Sequence, residues 1–362
     1  MFEKSSLKNK RIVFLIDTDI QLLNALYFVL SNDLGGKTDA IIQMKSRNGE
    51  KRIDSLKRSG VFKNIYSLKL DKHYFAEKIE ILIALFQPNL YMRLKHRIRL
   101  KRRYDTVFLA FATKTFDFVI AAIKPKKVYG YDDGMGSYIG DPFRDNYKKG
   151  YLKARKLLRR EYNVNEVFLN NPLCFNGTNT VNVYPLRETL SEEDDRLINE
   201  VFDYKPHEGI EHAKYYFLNQ AITDIDDYIG IERSLVDKLD RISGGDYILR
   251  FHPSERRRDI YSAYKDKIDI RNNMWELSCK NISDNNVLIG TFSSAQFSPK
   301  LLYNKEPYLI FTFKVFEGLD SRKKILFEQY VDFFRNKYEN KGKVLVPNTI
   351  EEYAYFLQNT NK

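Results

Sequence analysis

Short apolar runs rich in Val, Ile, Tyr and Phe alternate along this chain with longer segments of helical character. Such alternation is typical of βα units that build a parallel sheet. The series occurs twice, with strands predicted at residues 11–16, 39–44, 106–110 and 127–131, and again at 213–218, 247–251, 286–290 and 307–311. The chain is therefore predicted to be an α/β protein with two doubly wound lobes.

The length of the chain agrees with two lobes. At 362 residues it exceeds the size at which single cores usually stop growing, and its 43% hydrophobic content is sufficient for two cores. The connector is predicted at residues 183–193, where Pro185 precedes a helix start at Ser191-Glu192-Glu193. The predicted domains are accordingly residues 1–187 and 188–362.

Polar motifs follow three of the predicted strands: Tyr131-Asp132-Asp133-Gly134, Phe251-His252-Pro253 and Gly290-Thr291-Phe292-Ser293-Ser294. An acidic pair closed by glycine places carboxylates on a tight turn, and a histidine followed by proline is directed outward from a strand end. The third motif adds two hydroxyls at a predicted helix N-terminus. Because doubly wound sheets bind ligands beyond the carboxyl ends of their strands, these motifs predict a ligand site.

In this order the motifs resemble the acidic-acidic-Gly, His-Pro and Ser-Ser motifs of bacterial sialyltransferases with the two-lobed GT-B fold. The closest likeness is to the lipooligosaccharide and capsule sialyltransferases of glycosyltransferase family 52. The apolar segments at 107–110, 116–123 and 127–130 precede the acidic turn in that family's order, so the resemblance covers most of the chain. It implies two Rossmann-like lobes facing a central cleft, with an N-terminal acceptor side and a C-terminal lobe that binds the nucleotide sugar.

The resemblance also implies an activity. The chain is expected to be an inverting, metal-independent enzyme that moves sialic acid from CMP-sialic acid to a galactose-type hydroxyl of a capsule or lipooligosaccharide glycan. Asp133 is the first candidate for the catalytic base, with Asp132 as a structural or neighbouring charge and Gly134 closing the turn. Some relatives place the catalytic aspartate after the first strand of the second lobe, so Asp224 is the alternative base.

The donor site is expected in the second lobe. The resemblance implies that His252 donates a hydrogen bond to a phosphate oxygen of the leaving nucleotide. His252 could also act as a general acid if its pKa is near neutrality. Glu276 is expected to accept hydrogen bonds from the ribose hydroxyls. No cofactor is expected. The donor-binding residues implied by the resemblance are Asn219, Gln220, Arg250, His252, Pro253, Glu276, Ser293 and Ser294.

Asp17-Thr18-Asp19 imitates the Asp-x-Asp metal element of the other major glycosyltransferase fold. It follows the first predicted strand and lacks a partner carboxylate cluster, so it is interpreted as an acceptor-side loop before a helix that starts at Gln21. Cys174 and Cys279 are the only cysteines and have no ligand-like spacing, which argues against structural zinc. A mechanism without a metal is therefore favoured.

The net charge of +12 is concentrated in two segments, residues 93–103 and 148–160. In the first, Leu90, Leu94 and Ile98 form a narrow apolar stripe among basic residues. Such helices suit an anionic membrane, where a lipid-linked acceptor would lie, although a solvated helix face explains them equally well. No nucleic-acid-binding module is recognisable. Because no apolar leader is recognisable, the protein is expected in the cytoplasm. There it is expected to associate peripherally with the inner face of a bacterial membrane. Homodimer formation is possible.

Two alternatives remain at this stage. The same fold serves related enzymes with other donors, for which UDP-glucose and CMP-Kdo are the candidates. A non-catalytic basic protein that binds membrane surfaces would explain the charge, but it leaves the three strand-end motifs unexplained.

Overall fold

The computed structural model of the chain describes residues 7–43, 49–68, 82–84, 86–98, 104–139, 162–177, 181–205, 213–222, 225, 227–271 and 273–360. The chain forms two compact units, Met1–Tyr204 and Lys205–Lys362. The division lies after Tyr204 and not after residue 187 as predicted, because the helix that follows residue 187 packs on the first unit. Arg52 Nη1 donates to the Val201 carbonyl at 3.2 Å, and its guanidinium lies 4.8 Å from the centre of the Phe202 ring.

The first unit contains a seven-stranded parallel sheet with strand order β3-β2-β1-β4-β5-β6-β7. Its strands are β1 (Ile12–Ile16), β2 (Asp39–Ile42), β3 (Asn64–Ser67), β4 (Thr106–Leu109), β5 (Lys127–Tyr131), β6 (Glu166–Leu169) and β7 (Asn182–Pro185). Its described helices are α1 (Asp19–Ser31), α2 (Gly49–Ser59), α3 (Pro88–His96), α4 (Lys114–Ile123) and α5 (Glu192–Phe202).

The second unit contains a five-stranded parallel sheet with strand order β12-β11-β10-β8-β9. Its strands are β8 (Tyr215–Leu218), β9 (Tyr247–Arg250), β10 (Val287–Gly290), β11 (Tyr308–Phe311) and β12 (Val344–Leu345). Its described helices are α6 (Tyr228–Ser243), α7 (Trp275–Ser278), α8 (Ser298–Tyr303), α9 (Ser321–Arg335) and α10 (Ile350–Asn359). In the described parts of the chain, no helix has both the length and the apolar character needed to span a lipid bilayer.

The central strands are apolar throughout because helices cover both faces of each sheet. All five residues of β1 are buried, and the Phe14 ring stacks on Phe108 of the neighbouring strand at 4.4 Å between centroids. A strand with no polar face cannot lie at a surface, so burial on both sides follows from the sequence itself. The two doubly wound lobes predicted from the repeated pattern are confirmed.

All eight predicted strands are present, and four strands, β3, β6, β7 and β12, were missed. β6 is an internal strand that reads Glu-Val-Phe-Leu, and the other three are edge strands. β3 and β7 are edge strands that read Asn-Ile-Tyr-Ser and Asn-Val-Tyr-Pro, and β12 has two residues. The predicted connector was wrong in its first part, because Asn182–Pro185 is the edge strand β7, where a proline is tolerated. The predicted helix start is confirmed, since Ser191 caps α5 and forms a capping box with Asp194, but this helix belongs to the first unit and does not connect the two units.

Candidate functional site

The acidic turn follows β5 at the carboxyl end of the first sheet. The Asp132 side chain is buried and accepts hydrogen bonds from the Gly134 amide at 2.7 Å and from the Asn170 amide and side chain at 3.0 and 2.9 Å. The Tyr138 hydroxyl donates to the same carboxylate. Asp132 thus joins its own turn to the end of β6, which agrees with the structural role predicted for it.

Asp133 is the half-buried member of the pair. Its amide donates to Ser137 Oγ at 2.8 Å, and its carboxylate accepts from Gln21 Nε2 at 2.8 Å. Burial, with a smaller contribution from the nearby Asp132 and Asp17 carboxylates, raises the pKa of Asp133 to about 6. A carboxylate with this proton affinity is suited to act as a general base near neutral pH.

Gln21 orients the Asp133 carboxylate. The sequence predicted Gln21 only as the start of a helix and gave no sign of this contact. The Gln21 side chain is buried in the first turn of α1, and its Oε1 accepts from the Asp17 amide at 2.7 Å. Because the Asp17 N–H group donates to Oε1, the Nε2 group of Gln21 is the one that faces Asp133. These two contacts determine the orientation of the Gln21 side-chain amide. The Gln21 side chain thus joins the loop after β1 to the turn after β5.

Gly134 has a conformation that excludes other residues. Its φ is 83° and its ψ is −153°, a combination that is nearly restricted to glycine. A Cβ built there meets no atom within 4 Å, so any penalty comes from the backbone and not from a clash.

Gly134→Ala is expected to lower the free energy of unfolding by about 1–3 kcal/mol, because alanine is strained at this φ and ψ. Urea denaturation measures the effect. Gly136→Ala is the matched control, since Gly136 is also uncrowded and does not have a positive φ. We expect a change within about 0.5 kcal/mol for the control. Equal losses in the two variants would contradict the conformational explanation.

Asp17-Thr18-Asp19 forms the start of α1. Thr18 Oγ1 accepts from the Gln21 amide at 3.3 Å as the N-cap, and Asp19 Oδ1 lies 3.6 Å from Arg52 Nε. Within the described ranges, the structure contains no group of three or more His, Cys, Asp or Glu residues arranged to hold a metal ion. Asp17 and Thr18 lie in the loop beyond β1, as interpreted, whereas Asp19 is already the first residue of α1, two residues before the predicted helix start at Gln21. Contact of this loop with an acceptor stays a prediction.

His252 follows β9 at the carboxyl end of the second sheet and is exposed. Its Nδ1 accepts from the Ser254 amide at 3.2 Å and lies 2.6 Å from Ser254 Oγ. Because the backbone donor faces Nδ1, the neutral ring carries its hydrogen on Nε2. Partial loss of hydration lowers the pKa of His252 below its ordinary value, which favours this neutral form.

The turn that carries His252 is held by an ion pair. Arg257 donates to the buried Glu255 carboxylate through Nε at 2.9 Å and Nη2 at 2.8 Å, and Nη2 also donates to the Ile222 carbonyl at 3.2 Å. The Arg257 guanidinium lowers the pKa of Glu255 to about 2. The loop after β9 is therefore joined to the loop after β8, and His252 lies on a firmly held turn.

Ser293 and Ser294 follow β10, as predicted. Ser293 is the N-cap of the short 3₁₀ helix Ser294–Phe297, and its Oγ accepts from the Ala295 amide at 3.3 Å. Its amide donates to Gln296 Oε1 at 3.1 Å, which completes a capping box. A hydroxyl that accepts one hydrogen bond can still donate its own hydrogen. Ser294 is exposed.

The Asn219 and Gln220 side chains hold these loops together. Gln220 Oε1 accepts from the Phe292 amide at 3.0 Å while its Nε2 donates to the Phe292 carbonyl. Asn219 Nδ2 donates to Glu232 at 2.8 Å, and its Oδ1 accepts from the His252 amide at 3.4 Å. Both were predicted to bind the donor. In the structure they position the loops that carry His252 and Ser293.

Glu232 on α6 is a buried carboxylate that the sequence analysis missed. It accepts from the Tyr228 hydroxyl at 2.9 Å, from Asn219 and from the Tyr261 hydroxyl. Burial raises the pKa of Glu232. The Tyr228 oxygen also lies 3.0 Å from Thr291 Oγ1, at the end of β10. The only signal in the sequence was a tyrosine and a glutamate four residues apart on one helix, a common pattern that carries little information.

Arg250 was predicted to bind the donor, but in the structure its guanidinium contacts neighbouring residues of the second unit. Its Nη1 lies 2.7 Å from Asp269 Oδ2, and Nη2 donates to the Asn273 carbonyl. Its guanidinium also lies 5.3 Å from the centre of the Trp275 ring. These contacts make Arg250 a support for the segment before α7, and a direct contact with a donor stays a prediction.

Glu276 lies in the first turn of α7 and is half-buried. The helix is joined to the serine turn because Trp275 Nε1 donates to the Ala295 carbonyl at 2.7 Å. The Glu276 carbonyl accepts from the Tyr303 hydroxyl at 2.9 Å. The structure thus brings this helix and the Ser293–Ser294 turn together, while the ribose contact of Glu276 stays a prediction.

Some predicted residues cannot be placed. Asp224, the alternative base, lies outside the described residues, as do residues 99–103 and 148–160 of the two basic segments. Pro253 is described and exposed beside His252. The choice between Asp133 and Asp224 therefore rests on the geometry of Asp133 alone.

Solved structures similar to this chain have the two-lobed GT-B fold. The UDP-GlcNAc 2-epimerase of Methanocaldococcus jannaschii aligns with a TM-score of 0.52 and 10% identity, over 96% of this chain and 93% of its own. S. aureus MnaA in its UDP co-structure aligns with a TM-score of 0.50 and 11% identity, over 98% and 88%. Phytolacca americana UGT2, complexed with UDP-2-fluoro-glucose and pterostilbene, aligns with a TM-score of 0.50 and 10% identity, over 97% and 89%. At such identities the likeness shows the fold, and the GT-B class predicted from the motifs is confirmed.

No protein-family model matches the chain, and no curated protein sequence matches it either.

Proposed function

We propose that this chain is a glycosyltransferase, and specifically a CMP-sialic acid-dependent sialyltransferase of the kind that its motifs resemble. The observation that carries the proposal is the half-buried Asp133 carboxylate, which Gln21 orients and whose pKa is raised to about 6. It lies at the carboxyl end of a doubly wound sheet, where such folds bind ligands. The GT-B fold supports the same reading.

Asp133 acts as the general base in this proposal. It takes the proton of a galactose-type acceptor hydroxyl while that oxygen attacks the anomeric carbon of the sialyl donor. The bond from the anomeric carbon to the phosphate oxygen breaks, and CMP leaves with the bonding electrons. One displacement inverts the configuration at the anomeric carbon. The proton ends on Asp133 and is lost to solvent.

The second unit stabilises the leaving phosphate. His252 offers its Nε2 hydrogen as a neutral donor, because Ser254 occupies Nδ1. The Ser293 hydroxyl and the exposed Ser294 add donors from the turn after β10. Preorganised donors of this kind stabilise charge that develops as the phosphate departs. With its pKa lowered, His252 serves at neutral pH as a hydrogen-bond donor and not as a proton source.

Activity is expected to survive EDTA, because His252 and the two serines meet the phosphate charge in this proposal. CMP release with CMP-sialic acid, measured with and without the chelator, checks the prediction. A modest stimulation by Mg²⁺ through faster product release is compatible with it. Complete loss that added metal restores would show that a metal ion supplies the phosphate contact.

The identity of the donor needs a direct test, since two of the similar structures were solved with UDP or a UDP-sugar. UDP-glucose and CMP-Kdo are the alternatives. The purified enzyme incubated with each donor and a galactose-terminated acceptor distinguishes them by the nucleotide released. UDP release alone would overturn the sialyl part and retain the transferase. No release from any donor would favour the non-catalytic surface protein.

The acceptor is proposed to be lipid-linked and to lie at the anionic inner face of a bacterial membrane. The basic residues of the first cationic segment support this location, since part of that segment is exposed on α3. Basic residues near an anionic leaflet are attracted within a Debye length of its surface.

A further inference from the structure

Helix α3 presents one exposed face with a regular composition. Asn89, Leu90, Arg93, Leu94 and the C-cap residue Arg97 are all exposed, and their spacing places them on one side of the helix. The opposite side is buried in the core of the first unit, where the Tyr91 ring lies 5.0 Å from Phe118. The helix is therefore anchored by one face while leucine and arginine alternate on the other.

The exposed leucines are large enough to require an explanation. Leu90 is 40% exposed and Leu94, one turn later, is 47% exposed. Leu82 and Phe86, just before the helix, are 53% and 64% exposed. Single exposed leucines are ordinary, whereas several that are neighbours in one segment indicate an interaction surface. A helix face that is only solvated would carry polar residues at these positions.

The charge of this face selects its partner. The helix contains Arg93, Lys95 and His96 and is followed by its C-cap residue Arg97, without any acidic residue. The chain offers a comparison in α9, where Ile325 and Leu326 are 56% and 43% exposed. That helix carries acidic side chains among its basic ones, namely Asp320 at its N-cap, Glu328 and Asp332. Of these two apolar surfaces, only the one on α3 is uniformly cationic and complementary to an anionic partner.

We propose that the exposed face of α3 is the surface by which this protein lies on an anionic lipid bilayer. Leu90 and Leu94 enter the boundary between headgroups and acyl chains, while Arg93 and Arg97 extend to the lipid phosphates. The helix lies parallel to the membrane plane, since its buried face remains on the protein core. The proposal rests on the proposed function only for the identity of the acceptor, because vesicle binding does not require transfer.

The test measures partition of the full chain onto vesicles of phosphatidylcholine with and without phosphatidylglycerol. Wild-type protein should bind only the anionic vesicles. Arg93→Gln with Arg97→Gln should weaken binding by about 25-fold, since each basic residue contributes about fivefold near such a surface. Leu90→Ser with Leu94→Ser should weaken it by about tenfold or more through lost apolar burial, and the binding that remains should be more sensitive to salt.

Ile325→Ser with Leu326→Ser is the matched control and should bind like the wild type. Wild-type binding by the Leu90/Leu94 variant, or loss of binding by the control, would overturn the proposal. Sedimentation without lipid provides the other decisive outcome. If wild-type protein self-associates and the Leu90/Leu94 variant does not, the face is a contact between two copies of the chain. Donor hydrolysis by every variant is measured in parallel, so failure of the catalytic proposal is seen separately.

Discussion

Asp133→Asn is expected to lower kcat by about 10²–10⁴-fold, which is the usual contribution of a general base. The amide keeps the shape of the side chain and can still accept from Gln21 Nε2, but it cannot take the acceptor proton. Donor binding should be unchanged, because its contacts are proposed in the second unit. Steady-state kinetics with CMP-sialic acid and direct titration of CMP separate the two quantities.

The pH profile gives an independent measurement of the same residue. With the pKa of Asp133 at about 6, kcat/KM of the wild type should fall tenfold per pH unit below that value, as the base becomes protonated. Gln21→Leu removes a donor that lowers the pKa of Asp133, so the acid limb should move to higher pH while activity at high pH is largely retained. A purely structural role for Gln21 would lower activity equally at every pH.

Stability distinguishes loss of catalysis from loss of fold. Because the folded-state pKa of Asp133 is raised, the folded protein binds more protons than the unfolded chain between about pH 4 and 6. The free energy of unfolding therefore falls as pH rises through that window, and the burial penalty is fully present above it. Asp133→Asn removes the penalty, so its Tm at pH 7 should be no lower than that of the wild type.

Asp224→Asn is the necessary companion to Asp133→Asn. If Asp133 is the base, Asp224→Asn should retain kcat within about tenfold of the wild type. That reduction is much smaller than the loss of kcat expected when a general base is removed. An inactive Asp224→Asn with an active Asp133→Asn would assign the base to the second unit. Asp133 would then hold the loop after β1 through Gln21.

His252→Ala is expected to reduce kcat by about 10²–10³-fold, or roughly 3–4 kcal/mol of transition-state stabilisation, because one preorganised donor to the departing phosphate is lost. The side chain is exposed and its turn is held separately by Glu255 and Arg257, so the fold should be unaffected. Single-turnover measurements at saturating donor check the prediction. Near-normal turnover would remove His252 from the reaction.

Two further variants separate the donor role of His252 from its position. His252→Gln retains an N–H group of similar reach and should recover part of the lost rate. Ser254→Ala removes one contact to Nδ1 but keeps the backbone donor, so its effect should be smaller than that of His252→Ala. If Ser254→Ala were as damaging as His252→Ala, the orientation of the ring would matter more than its hydrogen.

The strands that position the candidate residues of each unit were predictable because each is an uninterrupted apolar run. β1, β4, β8 and β10 are buried at every residue, so their sequences have no polar positions that could be confused with a surface strand or an amphipathic helix. β3 and β7 were not predicted, because an edge strand pairs on one side only and tolerates polar residues and proline.

The sequence by itself determined the two βα series and the place of Asp133, His252 and the serines after their strands, and the resemblance of these motifs to those of known enzymes predicted the GT-B fold. The strands and the motif positions depend on local hydrophobic patterns and on the order of segments along the chain, and both can be read directly from the sequence. Only the tertiary structure decided which polar side chains are available for chemistry. Gln21 and Asp133 are separated by 112 residues, and Gln220 and Phe292 by 72. Hydrogen bonds across such distances exist only when parallel strands align their carboxyl ends, so no local pattern could predict them.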